Sequence, residues 1–190
     1  MPTAISPDDR LAAQTKLALR RLASAVAVVT CQDGRTRHAM TATAVNAMSM
    51  QPPSMIVCVN RSSAFHAAIS RADNFAINIL HRGQAQISMG CGGKVRGEDR
   101  FHSAAWEEEN GVPVLPDAQA SIVCAKQERF DYGSHTVFLG RVTSVGVHGA
   151  VDPLIYVDGR YTGLPTDEDC APPSQSQIDM LCAGFGQSLS

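Results

Sequence analysis

The side chains with chemical capacity are spread along the chain and form no compact catalytic motif. Six histidines stand at His38, His66, His81, His102, His135 and His148. No two are three or four residues apart, so no helix presents a pair of them to a metal, and no metal site is expected. The run Gly90-Cys-Gly-Gly-Lys-Val95 looks superficially like a phosphate loop. The dinucleotide fingerprint needs a glycine where Val95 stands, and the P-loop needs Ser or Thr there. The segment can still wrap a phosphate through backbone N–H groups and Lys94; the plain alternative is a flexible loop. Asn60-Arg61-Ser62-Ser63 falls where an apolar strand gives way to a helix. Free N–H groups there suit a phosphate, and a helix cap with a solvated arginine is the other reading. There is no G-x-S-x-G elbow for a hydrolase.

The six cysteines, Cys31, Cys58, Cys91, Cys124, Cys170 and Cys182, form no C-x-x-C pair. Several lie in apolar runs, as Cys58 does in Ser54 to Asn60, and read as reduced structural thiols of a cytoplasmic protein. The first ten residues carry Pro7, Asp8 and Asp9 with no apolar core, so they do not read as a signal peptide. No apolar run is long enough to span a bilayer. The formal net charge of -2 leaves no global basic footprint for nucleic acid. At 190 residues, 44% hydrophobic and 18% charged, the chain suits one soluble domain.

The elements that must position these groups are mostly strands. Ser6-Pro7-Asp8-Asp9 starts a helix, with an apolar stripe of Leu11, Ala18, Leu19 and Leu22 running to about residue 22. Ala25 to Cys31 reads as a buried strand, and Asp33-Gly34 marks a turn. His38 to Met50 alternates as a strand leading to an irregular turn, ended by Pro52-Pro53. Further strands are expected at 55–59, 74–80, 120–129, 136–147 and 154–157, with short helices at 63–71 and 84–89. Many short strands with few helices imply an antiparallel barrel or sandwich and count against a doubly wound nucleotide-binding fold. One domain is expected over residues 1–165, followed by a polar extension over 166–190.

The order of the pieces resembles the flavin reductase-like family. Met40 to Pro53 is similar to that family's first flavin-binding segment, and Ile56 to Ser63 to its second. Phe75 to Leu80, Gln86, Gly97-Glu-Asp-Arg-Phe101, Gly133-Ser-His135 and Leu154 to Tyr161 follow in the family's order. The resemblance spans residues 15 to 163. Two positions depart from the family: Cys91 stands where phenylalanine is usual, and Ser134 where an acid or another polar residue is usual.

The resemblance implies a mainly β fold with a few short helices, an antiparallel split β-barrel of the FMN-binding type, working as a homodimer. It implies an NAD(P)H:flavin oxidoreductase that reduces FMN, or FAD, with NADH or NADPH and supplies reduced flavin to a partner monooxygenase. The alternatives are a reductase of another acceptor, such as a corrinoid, and a non-catalytic flavin-binding protein. The cofactor-binding residues it implies are Thr41, Thr43, Ala44, Val45, Asn46 and Ser49 in the first segment, and Cys58, Val59, Asn60, Arg61 and Ser63 in the second. Gly92, Gly93, Lys94 and Arg100 would serve the phosphate, Phe101 would cover part of the cofactor, and Tyr161 would wall the pocket. His135 is the candidate catalytic residue, facing the flavin from the nicotinamide side.

Overall fold

A computed structural model describes residues 6–165 and Ser176; the polar extension expected over 166–190 otherwise lies outside the described residues, as does the side chain of Lys94. In chain order the elements are α1 (Pro7–Leu19), β1 (Ser24–Ala25), β2 (Ala27–Asp33), β3 (Thr36–Ala42), β4 (Val45–Met50), β5 (Pro53–Asn60), α2 (Ala64–Arg71), β6 (Asn74–Ile79), α3 (Ala85–Met89), β7 (Glu107–Glu109), β8 (Val112–Val114), β9 (Ala120–Tyr132), β10 (His135–Val147), β11 (Ile155–Val157) and β12 (Arg160–Thr162). A seven-stranded antiparallel sheet runs in the order β3-β2-β6-β9-β10-β5-β4, beside a three-stranded sheet β1-β11-β12 and the hairpin β7-β8.

The expected barrel is present as a rolled sheet that does not close. β3 and β4 stand at opposite edges of the seven strands, yet only Thr43 and Ala44 separate them in sequence. Three Cα steps span at most about 11 Å, so the sheet must curl until these edges meet at a corner. No ladder hydrogen bonds join β3 to β4, and the small residues of that corner stand in the opening.

Both faces of β2 are covered, which is why consecutive residues 27–31 are buried on alternate sides. Ala27, Val29 and Cys31 point into the main core with Val57, Val59, Phe75, Ile77 and Phe138, and Phe65, Ala68 and Ile69 of α2 plug that core. Val26 and Val28 face a second core with Ala39, Leu80, Ile87, Leu115 and Leu154, beneath α3 and the segment that follows it. The period-2 alternation of a strand divides the residues between the two cores.

Several expectations need correction. The predicted strand 25–31 is broken at Val26, whose N–H bonds to Leu154 O outside the main ladder (2.8 Å). The stretch 38–50 is two strands, and Pro53 begins β5 instead of only ending its predecessor. The hairpin β7-β8, turning at Asn110-Gly111, was not foreseen. In α1 the capping is as expected: Ser6 accepts from Asp9 N (3.1 Å), with Pro7 in the first turn. The helix ends at Leu19, however, and buries no residue; Leu11, Leu19 and Leu22 are all exposed. It is moored instead by Arg20, which pairs with Asp158 at 2.7 Å.

The thiols behave as the core predicts. Burial pushes Cys31 up to about 12, Cys124 to about 12 and Cys91 to about 11. Because the thiolate is the reactive form, these three should resist a thiol reagent in the folded protein at mildly alkaline pH and react on unfolding. Mass mapping of labelled peptides checks this; fast native labelling of any of the three would contradict the packing described.

Candidate functional site

Three of the sequence-predicted groups meet around the open corner of the roll. Thr43, Ala44 and Asn46 are exposed, and Val45 and Ser49 are half-buried. β5 runs alongside: Cys58 N donates to Ala44 O at 3.0 Å. Cys58 is half-buried, whereas the Val59 side chain is wholly in the core, so Val59 can serve a ligand only through its backbone. Thr41 donates its hydroxyl to Ser88 O (2.6 Å), and Ser88 Oγ in turn hydrogen-bonds Tyr161 Oη (2.8 Å). Thr41, Thr43 and Tyr161 line one cavity of about 200 Å³ together with Val26, Ala42 and Tyr156. Tyr156 meets Tyr161 edge-on, with ring centroids 5.6 Å apart.

The turn after β5 is internally satisfied. Asn60 Oδ1 accepts from Ser62 N (2.9 Å) and Ser62 Oγ (2.8 Å). Arg61 N donates to Ser134 O (2.9 Å), Ser63 N donates to Asn60 O (3.0 Å), and Ser63 Oγ caps α2 by accepting from His66 N (3.2 Å). The amides proposed for a phosphate at 61–63 are therefore already taken. The next two, of Ala64 and Phe65, meet no acceptor among the described residues, as the first turn of a helix leaves them.

His135 opens β10 directly opposite Asn60 of β5 and Tyr132 of β9. Its ring is exposed, with Nδ1 2.9 Å from Ser134 Oγ, so Nε2 is left for a ligand. Ser134, the residue that departs from the family pattern, thus supports the histidine. The next residue, Thr136, is buried and points the other way. Its hydroxyl donates to Asp131 Oδ1 and lies 2.8 Å from His66 Nε2. A hydroxyl has one proton to give and a carboxylate can only accept, so His66 Nε2 carries the hydrogen it shares with Thr136. The Thr136 hydrogen bond is the main cause holding Asp131 below the usual carboxylate range, with help from the Arg61 and Arg129 charges. Thr136→Val should release that carboxylate upward, seen by NMR titration, and cost about 1–3 kcal/mol by leaving the His66 N–H unpaired. Thr136→Ser should retain both properties; a valine variant with an unmoved Asp131 would refute the link.

The glycine-rich segment wraps the outer side of β3. It continues α3 as a wide turn, Gly90–Lys94, with Gly93 at φ +115°, a conformation L side chains rarely adopt. Gly92 and Gly93 are exposed, and Cys91 is buried in the second core beside Ile87 and Phe101. Phe101 is 3% exposed, edge-on to Trp106 and under the Arg37 guanidinium at 4.3 Å, so it packs as a core residue. Arg100 donates Nε to Val95 O (2.8 Å) and Nη1 to Ala39 O. Gly93 and Arg100 face the start of α2 across a cavity of about 430 Å³. Ser88, Tyr156, Arg37 and Arg96 were missed by sequence reasoning. A serine in a short apolar helix and isolated surface arginines carry no local signal.

The residues fit a flavin mononucleotide. The corner offers exposed small side chains and hydroxyls to a flat ring, and the second cavity offers cations and unpaired helix amides to a phosphate. Among the described residues no cluster of His, Cys, Asp and Glu is disposed to hold a metal ion. None of their helices is long and apolar enough to cross a membrane.

Comparison with known proteins places the chain in a family. Residues 19–165 match the flavin reductase like domain. The chain is 40% identical over 146 residues to the reductase component of the FADH(2)-dependent resorcinol hydroxylase of a Rhizobium species, covering 75% of this chain and 82% of that protein. It is 36% identical over 155 residues to an FMN reductase (NADH), RutF 1, of Methylorubrum extorquens, covering 81% and 77%. Among solved structures, the Streptomyces globisporus NADH:FAD oxidoreductase SgcE6, determined in complex with NAD and FAD fragments, superposes with a TM-score of 0.77 at 26% identity, covering 86% of this chain and 98% of that one. With the match extending from the end of α1 through β12, this chain belongs to the flavin reductase like family.

Proposed function

We propose that this protein is an NADH-dependent flavin reductase that reduces FMN or FAD and hands the reduced flavin to a partner oxygenase. The observation that carries the reading is the open corner at Thr43–Asn46, paired with β5, whose end Asn60 stands opposite His135, and preceded by β3, whose residues 37–39 line a cationic cavity. Bound flavin supplies the hydride-accepting ring. The chain supplies the rest. Thr43 to Asn46 and the Cys58–Val59 backbone form the seat for the ring. Tyr161, fixed through Ser88 and Thr41, walls it. Arg100 and the amides of Ala64 and Phe65 hold the phosphate end. His135, steadied by Ser134, positions the nicotinamide.

The protein works in the cytoplasm as a homodimer. Beyond residue 126, β9 has only β10 beside it among the described residues, and Phe130 and Tyr132 on that arm are 63% and 83% exposed. Such an unpaired edge with large apolar side chains calls for cover. Light scattering should give twice the chain mass; a monomer that still reduces flavin would remove this part of the reading.

Titration of FMN into the purified protein should quench flavin fluorescence at micromolar concentrations, and added NADH should be oxidised only when flavin is present. A protein that leaves the flavin spectrum unchanged and oxidises no NADH is not a flavin reductase.

A further inference from the structure

The cavity between β3, the start of α2 and the segment 93–100 is lined by Arg37, His38, Ala39, Ala64, Phe65, Gly93, Arg96, Gly97 and Arg100. Among the described residues three guanidinium groups line it and no carboxylate does, in a chain whose formal net charge is -2. Arg37 is neutralised by Glu98, at 2.6 Å. His38 is pushed towards the neutral form, chiefly by burial, and adds no charge near neutral pH. Among the described residues no carboxylate pairs with Arg100 or Arg96. Arg100 spends two of its donors on the carbonyls of Val95 and Ala39 and keeps the others. Arg96 is exposed and makes no hydrogen bond or ion pair among the described residues. One phosphate is satisfied by Arg100 and the two free amides of α2. The Arg96 fork is then surplus, and a planar guanidinium matches a further phosphoryl group. At about 430 Å³ the cavity has the size of a ligand pocket.

We propose that this cavity holds the second phosphate of a dinucleotide flavin, and that Arg96 sets the preference for FAD over FMN. The assignment rests on the flavin-reductase reading above and extends it to the substrate class. It uses only the excess positive charge over what one phosphate requires.

Dissociation constants for FAD and FMN, measured by fluorescence titration on the parent and on Arg96→Gln, test it. The ratio of FAD to FMN affinity should fall about tenfold or more in the variant, the loss expected for one charge-assisted contact. Arg96→Lys, which keeps the charge without the fork, should fall between the two. ADP carries the pyrophosphate without the flavin, so it should displace FAD from the parent at lower concentration than from Arg96→Gln. An unchanged FAD-to-FMN ratio overturns the assignment. So does a variant in which only the KM for NADPH rises, because the cavity would then serve a 2′-phosphate of the nicotinamide coenzyme. A parent that binds neither flavin overturns the flavin-reductase reading itself, and an affinity for both flavins that ignores Arg96 overturns only the extension.

Discussion

Replacing His135 by alanine should slow NADH-driven flavin reduction on the order of a hundredfold while leaving flavin affinity near that of the parent. The histidine is exposed, begins β10 opposite Asn60, and among the described residues is held only by Ser134 at Nδ1. Its removal opens no core and breaks no strand pairing, so the fold survives. What is lost is the group that fixes the donor beside the ring, and misplacing a donor by about 1 Å carries a penalty of that order. Stopped-flow reduction run beside an FMN titration separates the outcomes. A raised KM alone means lost uniform binding, and a lowered kcat means an interaction made in the transition state. Ser134→Ala should show the same pattern in weaker form, because it removes the support and leaves the ring. Parent rate with parent KM in the alanine variant would make His135 a structural residue.

The largest stability effect is expected at Gly140. It lies at a bulge, where β10 passes from pairing Leu139 with Glu128 to pairing Gly140 with Lys126, so Gln127 is the extra residue of β9. A Cβ there would sit 2.6 Å from Cε1 and Cζ of Phe75 and 2.7 Å from Cβ of Cys124. Phe75 is wholly buried in the main core and cannot swing into solvent. Gly140→Ala should therefore cost about 3 kcal/mol through overpacking and lower Tm by roughly 5–10 °C. Trimming the opposing ring with Phe75→Leu should recover part of that loss, a coupling that a double-mutant cycle reads directly. An alanine variant as stable as the parent would mean that the β6 and β10 faces are not packed as described.

The helices at α2 and α3 and most of the strands were legible from local pattern. Ser63 before a helix, the β-branched run at 25–31 and the Asp158-Gly159 turn carry their signals within a few residues. The order of motifs made the family legible as well, and with it Thr43, Asn46, Asn60 and His135 as candidates for the site. The β7-β8 hairpin was not legible, because Glu107–Glu109 has no strand propensity and is paired only through its partner. The apolar residues of α1 were misleading for the same reason: spacing shows that an apolar side chain could face a core, and only the packing shows that no core of the described residues covers Leu11 or Leu19.

The sequence by itself determined the fold class, the family and the candidate segments for the site, since these follow from periodicity, turn chemistry and motif order. Only the tertiary structure decided which atoms are free. Phe101 reads as a ring available to a cofactor, yet it is sealed beneath Arg37. The amides of 61–63 read as free, yet Ser134, Asn60 and the turn itself occupy them and leave those of Ala64 and Phe65. Arg37 and Arg96 drew no notice in the sequence, and only the roll of the sheet sets them across from α2. Hydrogen-bond satisfaction and burial depend on partners tens of residues away, and no local pattern encodes which partner has already claimed a donor.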